Sequence, residues 1–404
     1  MPLISVEDAL ARLLSGARPL AAETVPLAEA AYRALAAPVR ALRTQPPFPA
    51  AAMDGYAFHA EPGRRAFSVV GESAAGRGFA GKVIAGQAVR IFTGAPVPKG
   101  ADTIAMQENV SVRADGGIEL NEPAISGKHV RKRGLDFAEG DTVLTTGRIL
   151  DPAALSLAAA CGHASLSVVR RPRLVVIATG DELVAPGMAA GPDQIVASNG
   201  FGTAAMARKH GALVSDYGII PDQKPLIQAA IERAIAEGAD IIVTLGGASV
   251  GDHDLIRPVL ADLGVTLDFW QIAMRPGKPL MFGKSGKTYI LGLPGNPVSS
   301  LVCGQLFLAP LIAALSGQSF SQDIRGARLA VPMRENDHRQ DYVRAQVAKT
   351  AHGLSASPFL LQDSSMLTTL ANARGLIIRP PNAPAAAAGE EVQVLVLQPL
   401  AEHN

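Results

Sequence analysis

The spacing of apolar positions along this chain changes rhythm three times. Near the start, Ser5 precedes a run in which Val6, Leu10, Leu13 and Leu14 fall on one helical face, and Asp8 completes a capping box. A second helix is predicted over residues 27–36, stopped by Pro38. From about Arg43 to Thr142 the helical spacing disappears. Short apolar runs at 67–70, 89–92 and 103–106, separated by glycine-rich turns, predict a small β domain. Asp151-Pro152 then opens a helix, with the acid at the N-cap and proline in the first turn, and Gly162 closes it.

The middle third alternates differently. The continuous apolar run at 174–178 is too short for a helix and reads as a strand, and 213–218, 241–245 and 289–293 read as further strands. Between them, residues 200–210 and 225–237 read as helices, and another follows Val298. Strand and helix in this alternation predict a doubly wound, mostly parallel α/β sheet, whose ligands bind at the carboxyl ends of its strands. The last eighty or so residues return to short strands at 342–347, 376–379 and 392–397, a terminal β domain.

Bulk properties narrow the function classes. With 404 residues and 48% apolar content, the chain is globular and long enough for two to four domains. A net charge of +1 argues against nucleic-acid binding through bulk charge, so any anionic ligand must be caught by local clusters. Cys161 and Cys303 stand alone, without metal-ligand spacing, and read as buried small hydrophobes in a reducing compartment. The N-terminus lacks a basic start and no stretch offers an uninterrupted membrane span. The run 301–315 is broken by Gln305 and Pro310 and reads as a core helix. The expectation is a soluble, cytoplasmic protein.

Candidate chemistry gathers where strands end. Thr179-Gly180-Asp181-Glu182 presents two carboxylates, and Asp222 follows the next strand. Gly246-Gly247-Ala248-Ser249-Val250-Gly251-Asp252-His253-Asp254 is a glycine-rich turn able to cradle phosphate through its N–H groups, with acids a phosphate-bound Mg²⁺ would want. Pro294-Gly295-Asn296-Pro297 opens a helix at a strand end. Arg275-Pro276-Gly277-Lys278-Pro279 sets two cations on a stiff loop; a cation ~4 Å from a bound oxyanion near a protein surface gains on the order of 4 kcal/mol of gross Coulomb attraction. Arg131-Lys132-Arg133 is a second basic run, a solvated face or a phosphate-steering patch. Walker A, GxSxG and HExxH motifs are absent.

These motifs, in this order, resemble a known family. PPFPAAAMDGYA, IFTGAPVPKGADTI, VRKRGLDF, TGDEL, SNG, LGGASVGDHD, MRPGKPLMFG, LGLPGNPVSS, DYVRA and QDSSMLTTLANARGLI are similar to stretches of the MoeA-type molybdopterin molybdenumtransferases, from the first helix to the last strand. The resemblance implies an α/β domain over 1–19 and 169–318, a discontinuous linking domain over 20–42 and 141–168, an inserted β domain over 43–140, and a C-terminal β-barrel over 319–404. It implies a Mg²⁺-dependent transferase that inserts molybdate into adenylylated molybdopterin and releases AMP. Arg275, Lys278, Pro279, Ser299, Arg344 and Ser364 match its oxyanion pocket. Thr93, Gly246, Gly247, Ser249 and Asn296 match positions that hold the pterin and its phosphates. Asp54, Asp136, Glu182, Asp222 and Asp254 match its active-site acids, with Asp222 and Asp254 toward the metal. A homodimer is implied, with a cleft shared between the α/β domain of one subunit and the inserted domain of the other. A molybdopterin adenylyltransferase and apo-molybdoenzymes are the implied partners, with no nucleic acid and no membrane.

The chain departs from the family pattern at Pro49-Ala50-Ala51, where an Asp-Asn-Ser run is common, and at Gln271 and Arg275, where many members carry lysine. The competing expectations are a molybdopterin-adenylylating enzyme or a nucleotide-amide hydrolase with a similar α/β domain, and a non-catalytic scaffold or tungstate-handling paralogue. The MDGYA domain and the PGKP loop speak against the first two.

Overall fold

A computed structural model describes residues 3–247 and 255–400. The chain divides into two compact units, Met1–Glu23 with Val169–Asn404, and Thr24–Val168.

The first unit is organised by a six-stranded sheet in the order Leu213–Ile220, Arg173–Thr179, Ile241–Leu245, Thr288–Leu293, Pro279–Ser285, Thr266–Gln271. The first four strands run parallel and the last two complete the sheet antiparallel. Ile241–Leu245 is buried at every position because helices cover both faces of the sheet, which is why its sequence is an unbroken apolar run. Alternate residues serve opposite cores. Leu174, Val176, Ile241 and Val243 pack with Ala207 and Leu306 on one face, while Val175, Ile177 and Ile242 meet Ile227, Ile231 and Val259 on the other.

The first helix forms as its capping box predicts: Val6–Leu14 starts at Ser5, whose hydroxyl accepts from the Asp8 N–H at 3.0 Å. Its Ala9 and Leu13 sink into the first of these cores beside Phe307 and Leu311. The apolar run in the last third is longer than the sequence suggests. Helical structure continues through Gln305 and Pro310, with a π turn at Gly304–Leu308 that leaves Pro310 at the start of the final segment, where its missing N–H is tolerated. The resulting 19-residue helix, Pro297–Leu315, is long and apolar enough to cross a membrane by length and composition, but 83% of the apolar window is buried inside the fold.

The remainder of this unit is a closed five-stranded barrel. Ile324–Leu329 pairs with Glu391–Val396 and, in parallel, with Gly353–Pro358. Gln340–Thr350 pairs with Gly353–Pro358 and Gly375–Arg379, and Gly375–Arg379 with Glu391–Val396 closes the ring. The short strand Met274–Arg275 adds in parallel to Gln340–Thr350, tying the α/β domain to the barrel.

The second unit carries a curled sheet in the order Thr103–Met106, Gly55–Phe58, Gln87–Ile91, Ala66–Ser73, Ile118–Leu120, Val110–Val112. Phe58 and Phe67, with ring centroids 4.5 Å apart, anchor one of its small cores. Helix Pro152–Ala160 is capped as predicted, Asp151 accepting from the Ala154 N–H at 2.8 Å. The helix expected over residues 27–36 is not formed. Only the 3₁₀ turn Leu27–Glu29 is helical, and Tyr32 sits at φ 59°. The N–H groups that would close helical turns are taken by distant backbone: Tyr32 N–H donates to Leu150 O (2.9 Å), Leu35 N–H to Arg148 O (3.0 Å) and Ala36 N–H to Ser167 O (3.0 Å). Long-range pairing overrides local propensity here. At the Pro49-Ala50-Ala51 departure, Ala51 pairs with Val130 and is fully buried.

Candidate functional site

The carboxyl ends of the parallel strands Arg173–Thr179, Ile241–Leu245 and Thr288–Leu293 open into a cleft of ≈ 660 Å³. Of the residues singled out in the sequence, Glu182, Asp222, Gly246, Gly247, Pro279, Asn296 and Ser299 line this one cleft. The strand-end loops therefore converge, as open α/β sheets dictate. Ser249 and Asp254 lie outside the described residues.

The floor of the cleft is shaped by backbone. Gly246 adopts φ 93°, and a Cβ there would lie 2.8 Å from the Thr179 carbonyl oxygen, so only glycine lets the two strand ends approach this closely. Opposite, Asn296 precedes the helix that starts at Pro297 without a side-chain capping bond, and its Nδ2 donates to Ser364 Oγ at 2.9 Å instead. The Val298 N–H donates to the Ser364 carbonyl at 3.1 Å, so the barrel loop carrying QDSS is stitched to the PGNP turn. That stitching brings Ser365 and Leu367 into the cleft wall. Neither was singled out in the sequence; only their proximity to Ser364 pointed there. Asn199, also missed, donates through Nδ2 to Gly295 O at 2.7 Å and fixes the same turn. A flap formed by Leu183–Val184 paired with Ile195–Val196 supplies an apolar wall that no motif announced.

The expected cations are placed unequally. Lys278 is exposed, and among the described residues its side chain has no partner, while the adjacent Pro279 lines the cleft. Arg275 turns to the barrel, where its guanidinium pairs with Asp341 and Asp337 and reaches Asn336 at 3.3 Å. Arg344 is 1% exposed. Its Nε donates to Gln362 Oε1 (3.1 Å) and a terminal N–H to the Asp363 carbonyl (2.7 Å), so it braces the QDSS loop from behind. Burial pulls the Arg344 pKa down, with Asp363 opposing. Ser364 is committed to the stitch just described.

Asp54 and Thr93 come together in the second unit. Asp54 Oδ1 accepts from both the Thr93 hydroxyl and the Thr93 N–H, each at 2.7 Å. The hydroxyl first, then the N–H, hold its carboxyl below the ordinary 3.8. Asp136 is exposed, and the Asp136 N–H donates to Gln45 O at 3.0 Å, with no contact to Asp54 or Thr93 among the described residues. Cys161 and Cys303 are buried and unpaired by disulfide, in keeping with the sequence, and burial drives the Cys303 thiol far above its ordinary range.

A doubly wound domain with a polar cleft at its strand ends, followed along the chain by a small closed barrel, places the protein among the multidomain α/β proteins that bind ligands at the sheet's carboxyl edge. The chain belongs to the molybdopterin molybdenumtransferase family. Residues 4–162 match the MoeA N-terminal region (domains I and II), 175–314 a probable molybdopterin-binding domain, and 326–397 the MoeA C-terminal region (domain IV). It is 39% identical over 302 residues to the molybdopterin molybdenumtransferase of Haemophilus influenzae, covering 74% of each chain. It is 35% identical to molybdopterin molybdenumtransferase 2 of Mycobacterium tuberculosis over 95% of this chain and 96% of that one. Two crystal structures of the molybdopterin biosynthesis MoeA protein from Pyrococcus horikoshii superpose with TM-scores of 0.82 and 0.80, at 30% and 27% identity, covering 98% of this chain and 100% of each of those.

Proposed function

We propose that this chain is a transferase of molybdenum cofactor biosynthesis that inserts molybdate into adenylylated molybdopterin and releases AMP. The observation that carries the proposal is the single cleft into which four strand-end loops deliver two carboxylates, a glycine-shaped backbone floor and a helix start. Each part has a task suited to a pterin that carries a pyrophosphate. The Gly246 floor admits a phosphate close to the backbone. The Asn296–Ser364 stitch keeps the helix start aimed into the cleft. Lys278, beside the cleft-lining Pro279, offers the positive charge a tetrahedral oxyanion requires.

A divalent cation fits this donor set in kind. Glu182 and Asp222 line the same cleft, and hard oxygen ligands suit Mg²⁺, which takes few protein carboxylates and completes its shell with water and phosphate. Among the described residues no group of three or more His, Cys, Asp or Glu side chains gathers as a dedicated metal cage. Asp222 and Glu182 would hold Mg²⁺ against the pyrophosphate, and the ion would supply charge neutralisation at the phosphoryl oxygens.

The decisive experiment incubates the protein with adenylylated molybdopterin, Mg²⁺ and molybdate and follows AMP. Release that depends on molybdate is expected. Release at the same rate without molybdate defines a plain hydrolase and removes the transferase proposal. The scaffold alternative is not favoured, because full-length relatives carry the transferase name.

We further propose a homodimer in which the Asp54–Thr93 corner of one subunit completes the cleft of the other. A molybdopterin adenylyltransferase would supply the substrate and apo-molybdoenzymes would take the product, in the cytoplasm. Support comes from the split of family acids between the two compact units, Asp54 in one and Asp222 in the other. Mixing inactive Asp54→Ala and Asp222→Ala proteins under subunit exchange should restore activity in mixed dimers, since one site then holds both aspartates. Verified mixed dimers that stay inactive exclude the shared site.

A further inference from the structure

The loop that carries Lys278 and Pro279 is clamped at several points. At its base, Met274–Arg275 pairs in parallel with Gln340–Thr350, and the Gln340 N–H donates to Ala273 O at 2.9 Å. Across its neck, the Ile272 N–H donates to Lys278 O at 2.9 Å. At its turn, the buried Cys303 thiol donates to Gly277 O at 3.7 Å. The remaining clamp is ionic. Arg275 bridges Asp341, whose side chain is only 10% exposed, and Asp337, which is also held by Arg339 at 2.7 Å. Asp341 Oδ1 is buried without a hydrogen-bond partner among the described residues. A buried carboxylate with one satisfied oxygen depends heavily on the single cation that meets it.

We propose that Arg275 and Asp341 form an ionic latch between the α/β domain and the barrel, and that Arg275 is a positioning residue which sets Lys278 and Pro279 for the oxyanion rather than binding it. The proposal rests on the functional reading above for the identity of the oxyanion, but the latch itself is a property of the loop. Charge bookkeeping supports it. Molybdate is a dianion, and a guanidinium already shared by two carboxylates has little net field to offer a third anionic group. Lys278, exposed beside the cleft-lining Pro279, has no such competitor among the described residues. Arginine suits the latch better than lysine, because its planar fork reaches Asp341, Asp337 and Asn336 at once.

The latch and a direct ligand make opposite predictions for Asp341→Asn. If Asp341 merely competed for an oxyanion-binding Arg275, removing its charge would free the guanidinium and tighten molybdate binding. The latch predicts instead that Asp341→Asn and Arg275→Ala each raise the molybdate KM on the order of tenfold, the effect falling on KM rather than kcat. The double variant should be no worse than either single one, and Arg275→Lys should recover part of the loss. On a Lys278→Ala background the latch variants should cost less than they do with Lys278 present, because the latch acts through it. Amide hydrogen exchange at Gly277 and Lys278, followed by mass spectrometry in the same variants, reads the loop without any substrate. Faster exchange in Asp341→Asn and Arg275→Ala is expected. Tighter molybdate in Asp341→Asn, additive single effects, or unchanged exchange in both variants overturns the latch. Faster exchange in a protein that shows no molybdate-dependent AMP release leaves the latch standing and removes the functional reading instead.

Discussion

The cleft floor at Gly246 and the Asp54–Thr93 corner are both built around carboxylates, yet they are made rigid by opposite means. In the cleft, shape comes from backbone: a positive-φ glycine and strand ends packed too closely for a Cβ. In the corner, shape comes from side chains, with one threonine donating twice to one aspartate oxygen. The neighbouring Gly94 also has positive φ, at 82°, but a Cβ there would meet nothing within 4 Å. A floor made of backbone can accept ligands of varied outline, since main-chain donors are not displaced by rotamer changes. A corner made of hydroxyl and carboxylate instead fixes one charge at one place and holds it ionised.

The largest expected effect tests whether the cleft carboxylates act and are not mere lining. Asp222→Asn should cut AMP release on the order of 100-fold while equilibrium binding of adenylylated molybdopterin stays within a few fold. A loss confined to binding would reduce Asp222 to a wall residue. Next comes the backbone contrast. Gly246→Ala should destabilise the fold by about 2 to 3 kcal/mol, through both its φ and its collision with Thr179 O, whereas Gly94→Ala should cost about 1 kcal/mol from φ alone. Urea unfolding of the two variants measures this directly. Equal losses would mean that close approach plays no part at Gly246.

The smallest effect concerns pH. The folded-state carboxyl of Asp54 titrates below its ordinary 3.8, chiefly through the Thr93 hydroxyl. The contribution is therefore present above that ordinary value and lost as pH falls through the lowered one. Thr93→Val should lower Tm slightly at neutral pH, and the two melting curves should converge once the solution is well below 3.8. A gap that persists unchanged into acid would assign the loss to packing instead of the carboxylate.

Much of this architecture was legible because the relevant signals are local. Ile241–Leu245 is an apolar run because both its faces are buried, and Asp151-Pro152 states a helix start in two residues. The strand-end loops of the cleft followed from the alternation of strand and helix. What escaped was settled by partners far away in sequence. Residues 27–36 have helical composition, but their N–H groups belong to backbone near Arg148 and Ser167. No local signal shows that Arg275 meets Asp341, 66 residues later. Nor does any local signal show that Arg344 donates to Gln362 and to the Asp363 carbonyl. A charge pattern announces that a cation is present; which anion it meets is decided by the register of the barrel strands.

The discontinuity of the first unit also bears on how the chain is made. Helix Val6–Leu14 leaves the ribosome early, yet Asp268, which Arg12 meets at 3.2 Å, is 256 residues further on, and the core helix that buries Leu13 comes later still. At ordinary translation rates of about 5 to 20 residues per second, Asp268 is added roughly 13 to 50 s after Arg12. During that interval the whole of Thr24–Val168 emerges with its own cores complete. The nascent chain thus builds its inserted part first, while an amphipathic N-terminal segment waits with its apolar face uncovered until the helix that buries it arrives.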